Sequence, residues 1–222
     1  MGRFGRKAQV VLGGTLLVLV GGGVGVTRFI AAGNRAEAAD IASALQLEPG
    51  SSVADVGAGK GTFSIELARK VGPDGQVFAT EIDEKLLKQI RRAATDASLH
   101  NVTVIEGGEA DAGLPEACCD AVFLRGVYHH LTQPATTNAS LFRALRPGGR
   151  LAIIDFPPSR WLSFFFPVRD VPANRGGHGV PAELVIEELT AAGFALDQRI
   201  DDWRNNRYCL VFRRGGARQH PR

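Results

Sequence analysis

From residue 34 onward, short apolar runs alternate with longer stretches in which apolar residues return every third or fourth position. The short runs predict buried strands and the longer stretches amphipathic helices. Asn34 to Leu47 reads as a helix that stops before Pro49-Gly50. Val53, Ala54 and Val56 then form a run typical of a strand buried on both faces. Thr62 opens a helix with Phe63, Leu67, Ala68 and Val71 on one side, and Gly72-Pro73-Asp74-Gly75 turns the chain. Gln76–Glu81 is the second expected strand. Asp83–Ser98 is amphipathic, with Leu86, Ile90 and Ala97 on its apolar face and Asp83 as its cap. Val102–Ile105 and Asp120–Leu124 are the third and fourth strands. Pro134–Leu145 is a helix ended by Arg146-Pro147-Gly148-Gly149, and Arg150–Asp155 is the fifth strand. Pro181–Ala192 is the last helix. Ala195–Ile200 and Tyr208–Arg213 are a closing hairpin, joined by a polar loop that holds Trp203. This order predicts an α/β fold, doubly wound, with a mostly parallel seven-stranded sheet.

The two ends of the chain differ from this body. Val10–Val26 carries no charge, and at ~1.5 Å per residue it would span about 25 Å, close to the ~30 Å hydrocarbon core of a bilayer. Three readings stay open for this N-terminal apolar helix. It is a transmembrane anchor, a cleaved signal segment with Ala36-Glu37-Ala38 as its cleavage motif, or a buried helix. The expected division is an anchor or signal over 1–33, one domain over 34–214 and a basic disordered tail over 215–222. The formal net charge of +3 belongs to the ends. Residues 36–212 hold 17 basic against 23 acidic residues, a net of −6, which argues against a nucleic-acid partner.

The densest chemistry follows the first strand. Gly57, Gly59 and Gly61 alternate with Ala58 and Lys60, just after Asp55. Glycines between a strand and a helix let the backbone turn tightly and approach a ligand. A P-loop is ruled out, because Gly61 follows Lys60 and Ala54 occupies the first glycine position. The dinucleotide fingerprint fits poorly, with Thr62 in its last position. What remains is D-x-G-x-G-x-G.

That motif resembles the first motif of class I S-adenosylmethionine (SAM) dependent methyltransferases, and VFATEID resembles their second. "LRPGGRLAIID" and "ELTAAGF…YCLVFRR" resemble later segments of the family, in its order, over residues 37–213. The resemblance implies a Rossmann-like fold with SAM as cofactor and a small-molecule methyl acceptor. Asp55, Gly57, Ala58, Gly59 and Gly61 would cradle the cofactor. Glu81 would take its ribose and Ile82 the adenine face. Gly108 stands where many members have Asp, so Glu109 or Asp111 would substitute. Arg125, where many have Asn or Asp, would bind the cofactor at its methionine end. Tyr128, His129 and His130 fall at the methyl-transfer site, where a neutral histidine could accept a proton. No metal is implied.

Phe156–Val180 is a long irregular segment rich in aromatics, expected as a lid over the cleft or as a flap packed on the core. As a lid, its aromatics would suit an apolar or lipid-like acceptor or dip into the membrane interface, and His178 is a further candidate to reach the site. Basic residues before Val10 favour a cytoplasmic N-terminus with the domain outside. SAM, made in the cytoplasm, favours the opposite, so the side of the membrane stays open. Cys118, Cys119 and Cys209 read as small buried or loop thiols rather than redox groups. A second reading of the chain is a catalytically degenerate SAM-binding subunit acting as a membrane-tethered partner protein. Gly108 and Arg125 are the departures that permit it.

Overall fold

The computed structural model describes residues 29–159, 164–165, 170–175 and 178–215. The chain divides into two units, 1–37 and 38–222. Of the first unit, residues 29–37 are described. They are helical, with Phe29 and Ile30 exposed. The expected anchor or signal over Val10–Val26 lies outside the described residues, as do 216–222 of the tail. Among the described residues, no helix is long and apolar enough to cross a membrane.

Seven strands form one sheet. They are β1 (Ser52–Val56), β2 (Gln76–Glu81), β3 (Val102–Glu106), β4 (Cys119–Arg125), β5 (Leu145–Asp155), β6 (Phe194–Trp203) and β7 (Arg207–Arg214). Their order is β3-β2-β1-β4-β5-β7-β6. The first five run parallel, and β7 inserts antiparallel between β5 and β6. The helices are α1 (29–44), α2 (Thr62–Val71), α3 (Glu84–Asp96), α4 (Pro134–Ala144) and α5 (Ala182–Ala191).

Alternation along the strands builds a core on each face. Ala54, Val56, Val122, Leu124, Leu151 and Ile153 pack against Leu141 of α4 and Val185 and Leu189 of α5. Val53, Val77, Phe123, Ala152 and Val211 pack against Leu67, Ala68 and Val71 of α2 and Ile41 of α1. The sheet reverses direction of growth between β1 and β4, so a crevice opens beyond their carboxyl ends.

Two elements differ from the pattern reading, and the expected cap of α3 is found. β5 starts at Leu145, because Leu145 pairs with Cys119 before the ladder resumes at Ala121–Arg150. The turn residues therefore bulge out of the strand instead of preceding it. β6 runs on to Trp203, which is buried in the second core and not set in a polar loop. The apolar face of the indole outweighs its polar neighbours. Asp83 caps α3 from outside, accepting from the amides of Lys85 (2.7 Å) and Leu86 (3.2 Å).

Candidate active site

A cleft of about 360 Å³ lies beyond the carboxyl ends of β1 to β4. Val56 and Gly57 form its floor, Thr80, Glu81 and Ile82 one wall, and Gly107, Gly108 and Glu109 the far rim. Val127, His130, Leu131, Thr132 and Thr137 face them.

The floor is set by backbone geometry. The amides of Gly57 and Ala58 both donate to the Thr80 carbonyl at 2.9 Å, tying the glycine loop to β2. Gly57 has φ +73°, and a Cβ there would sit 2.6 Å from Val127 Cγ2. Only glycine fits that position without pushing Val127 into the cleft. Gly59, also left-handed at φ +57°, has open space around it, and its amide donates to Glu81 Oε2 at 2.9 Å. Gly61 precedes α2 and packs against Ile90.

Glu81 closes the other side of the loop. Its Oε1 accepts from the amides of Ile82 (2.8 Å) and Asp83 (3.4 Å). A carboxylate offers about four acceptor positions, and these backbone donors leave room for a further hydroxyl. Ile82 beside it is 61% exposed and lines the cleft, a flat apolar shelf next to an acceptor. Glu109 stands at the rim, and the Gly108 amide turns back to the Asp111 carbonyl at 2.7 Å.

Asp55 is not in the cleft lining. It is buried on the α2 side of β1, where Ser64 Oγ donates to it at 2.6 Å. Burial pushes its carboxyl up to about 7, against the Ser64 hydrogen bond, which lowers it. It ties β1 to α2 under the loop. Arg125 also lies outside the lining, its guanidinium 4.6 Å over the Phe63 ring.

The three residues of the Tyr128–His130 3-10 turn part company. Tyr128, expected at the methyl-transfer site, is fully buried, its hydroxyl donating to Glu188 Oε2 (2.9 Å) and accepting from Asn138 Nδ2 (2.8 Å). The Arg175 guanidinium lies 5.1 Å over its ring. His129, placed beside it by the same expectation, is buried too. Its Nδ1 meets both oxygens of Asp155 at 2.9 and 3.1 Å, and its amide donates to Asp155 Oδ2 at 3.1 Å. Its Nε2 has no hydrogen-bond partner among the described residues. At three residues per turn, neighbours point about 120° apart, so only one of the three can face out. That one is His130, which lines the cleft. Its inner side packs on His129 (ring centroids 3.9 Å apart) and His178 (6.0 Å). Burial first, then the neighbouring imidazoles, push it down to about 4, with Asp155 opposing. His130 is therefore neutral near pH 7.

His178 reaches this cluster because the stem of its loop is zipped. Val180 N donates to the Phe156 carbonyl at 3.0 Å and Ser159 N to the His178 carbonyl at 2.9 Å. Residues 160–163, 166–169 and 176–177 of the expected lid lie outside the described residues. The pattern reading missed Asp155, although it is an acid at a strand's carboxyl end, the same signal that singled out Asp55 and Glu81. It also missed Thr132 and Thr137 in the lining.

A sequence profile of the family described as "Methyltransferase domain" matches residues 47–175. The chain belongs to this family, the class I, SAM-dependent methyltransferases. A demethylmenaquinone methyltransferase of Listeria monocytogenes is 32% identical over 111 residues, covering 50% of this chain and 47% of the relative. A ubiquinone/menaquinone biosynthesis C-methyltransferase of a Marinomonas species is 30% identical over 117 residues, 51% and 47% of the two chains. The chain thus spans about half the length of the curated relatives it matches. A SAM-dependent methyltransferase from Aquifex aeolicus shares the fold, with TM-score 0.67 and 23% identity over 80% of this chain and 89% of that one. SAM is the cofactor that goes with the family. The side-chain-free floor at Gly57, the acceptor oxygens of Glu81 and the shelf at Ile82 fit a nucleoside with a ribose diol and a flat base.

Proposed function

We propose that residues 34–214 are a methyltransferase domain that moves a methyl group from SAM to carbon of a small, apolar, quinol-like acceptor. The observation that carries this reading is the opposition of two walls across one cleft. Glu81 and Ile82 stand on one side and the neutral His130 on the other, at the sheet's switch point. The names of the relatives point to the acceptor class and to carbon.

Bound SAM supplies an electrophilic methyl on a sulfonium. The chain's own residues then have positional tasks. Glu81 would hold the ribose hydroxyls, and Ile82 and Glu109 the adenine. The Gly57–Gly61 loop would hold the methionine end. His130, unprotonated at the cleft, would take the hydroxyl proton of a quinol; the ring carbon would then bond the methyl as its bond to sulfur breaks, and the ring C–H proton would leave to solvent. The same reading gives Val10–Val26 the role of a membrane anchor, which would keep the domain near a lipid-soluble acceptor. Carbonate extraction of membranes holding the full chain tests the anchor.

Methyl transfer from labelled SAM to a reduced demethylated naphthoquinone tests the activity. Labelled product is expected, and His130→Ala should lower turnover more than SAM affinity. SAM binding without transfer to any acceptor in a panel would instead support a non-catalytic SAM-binding subunit. Failure to bind SAM would overturn both.

A further inference from the structure

Cys118 and Cys119 lie where β4 begins, at the opposite end of the strand from the cleft. Adjacent residues of an extended strand point to opposite faces. Here the two sulfurs converge to 2.9 Å. The turn before them explains how. Ala117 adopts φ +48°, a left-handed conformation that costs a residue with a Cβ about 1–2 kcal/mol. Its amide donates to the Arg143 carbonyl at 2.9 Å, and its carbonyl accepts from Arg146 Nε at 3.3 Å. That clamp swings Cys118 round onto Cys119, just where the β4–β5 ladder shifts register.

The two thiols are unlike. Cys118 is partly exposed, and Cys119 is fully buried. The hydrogen bond from Cys119 pushes the Cys118 thiol down against its partial burial, and the Arg146 guanidinium adds to the lowering. The same bond, with burial, pushes the Cys119 thiol up. A partly exposed thiol touching a sheltered one is the arrangement of an attacking and a resolving cysteine.

We propose that Cys118 and Cys119 form a dithiol site that a hydroperoxide oxidises reversibly. The Cys118 thiolate attacks one peroxide oxygen, the O–O bond breaks, and the departing oxygen leaves as water or an alcohol after taking a proton. Cys118 is then a sulfenic acid. The Cys119 sulfur attacks the sulfenic sulfur, the S–O bond breaks, and water leaves with the Cys119 proton. Two thiols lose two electrons and one peroxide gains them. The new bond closes a small ring containing the Cys118–Cys119 peptide. Such a ring is strained, so thiols reduce it easily. The site is independent of the methyl-transfer reading.

The test uses the full chain, reduced and then treated with hydrogen peroxide, followed by intact mass and alkylation under denaturing conditions. The mass should fall by two hydrogens, the alkylatable thiols should drop from the three of the sequence to Cys209 alone, and dithiothreitol should restore them. Peptide mapping should place the bond between 118 and 119. Cys118→Ser, a partly exposed site that tolerates the change, should slow peroxide-driven thiol loss at least about tenfold. A sulfinic acid at Cys118 with Cys119 still alkylatable would overturn the proposal. So would disulfide-linked dimers, or wild-type thiols that survive a peroxide excess sufficient to oxidise a cysteine peptide.

Discussion

The two walls of the cleft are built by different means. On the β1–β2 side, backbone does the positioning. Left-handed glycines make the turn, amides bond to the Thr80 carbonyl, and Glu81 is gripped by the amides of Gly59, Ile82 and Asp83. On the β4–β5 side, His130 is placed by buried side chains behind it. Asp155 holds His129, while Glu188 and Asn138 hold Tyr128. A wall made of backbone fails when a Cβ is added. A wall made of buried polar side chains fails when one partner is lost. The first wall should govern cofactor affinity and the second turnover.

The sharpest test lies within the glycine loop. Gly57→Ala forces a left-handed φ and drives a methyl 2.6 Å from Val127 Cγ2, a residue of the cleft itself. The combined strain of roughly 3 kcal/mol should weaken SAM binding about 100-fold by calorimetry. Gly59→Ala meets the same φ with no neighbour within 4 Å, and should lose roughly fivefold. Equal losses would mean that the contact with Val127 does not shape the floor.

The other wall is probed by Asp155→Asn. Three N–H groups converge on that carboxylate, from the His129 ring and the amides of His129 and Phe156. An amide cannot accept them all, so the 3-10 turn should shift and His130 with it. Turnover is expected to fall roughly 10–100-fold while SAM affinity stays within about threefold, given what general bases contribute. Parallel losses in both would show that the two walls are not separable.

The difference between the walls also decides what a pattern of residues can reveal. Strand and helix periods locate all seven strands along the chain, because each face of the sheet needs its own apolar set. Gly57, Glu81 and Ile82 stand out since a left-handed turn and a strand-end acid leave local marks. Asp55 carries the same mark as Glu81 yet faces away. Ala54 and Val56 point into the α4–α5 core, so parity alone turns residue 55 towards α2 and Ser64. The Asp155–His129 pair joins residues 26 apart in the chain, and the Tyr128–Glu188 bond joins residues 60 apart. No local pattern encodes either.

Asp55 offers a smaller effect with a definite sign. Its folded pKa, about 7, stands above the unfolded value of 3.8. Between those values the folded chain holds a proton that the unfolded chain has lost, so stability contributed by the neutral form falls as pH rises and levels off above about 7. At about 1.4 kcal/mol per unit, the window from pH 5 to 7 is worth on the order of 2 kcal/mol. Asp55→Asn removes this titration. Its denaturant midpoint, relative to wild type, should rise between pH 5 and 7 and stay constant beyond. A difference flat across that window would mean that Asp55 is ionised throughout, and that the glycine loop rests on a buried charge.

The smallest expected change comes from Tyr128→Phe, which separates building from chemistry inside the second wall. The ring would keep its place under the Arg175 guanidinium, and only the hydroxyl between Asn138 and Glu188 is lost. Asn138 is fully buried and its side-chain oxygen has no partner among the described residues, so losing the amide's contact as well should cost about 1–2 kcal/mol of stability. Because the hydroxyl points into the α4–α5 core and not into the cleft, turnover at a temperature where the variant stays folded should change less than about threefold, well short of what losing a catalytic acid or base costs. A large fall in turnover with unchanged stability would return Tyr128 to the reacting groups, and would mean that the 3-10 turn presents a different face when the acceptor is bound.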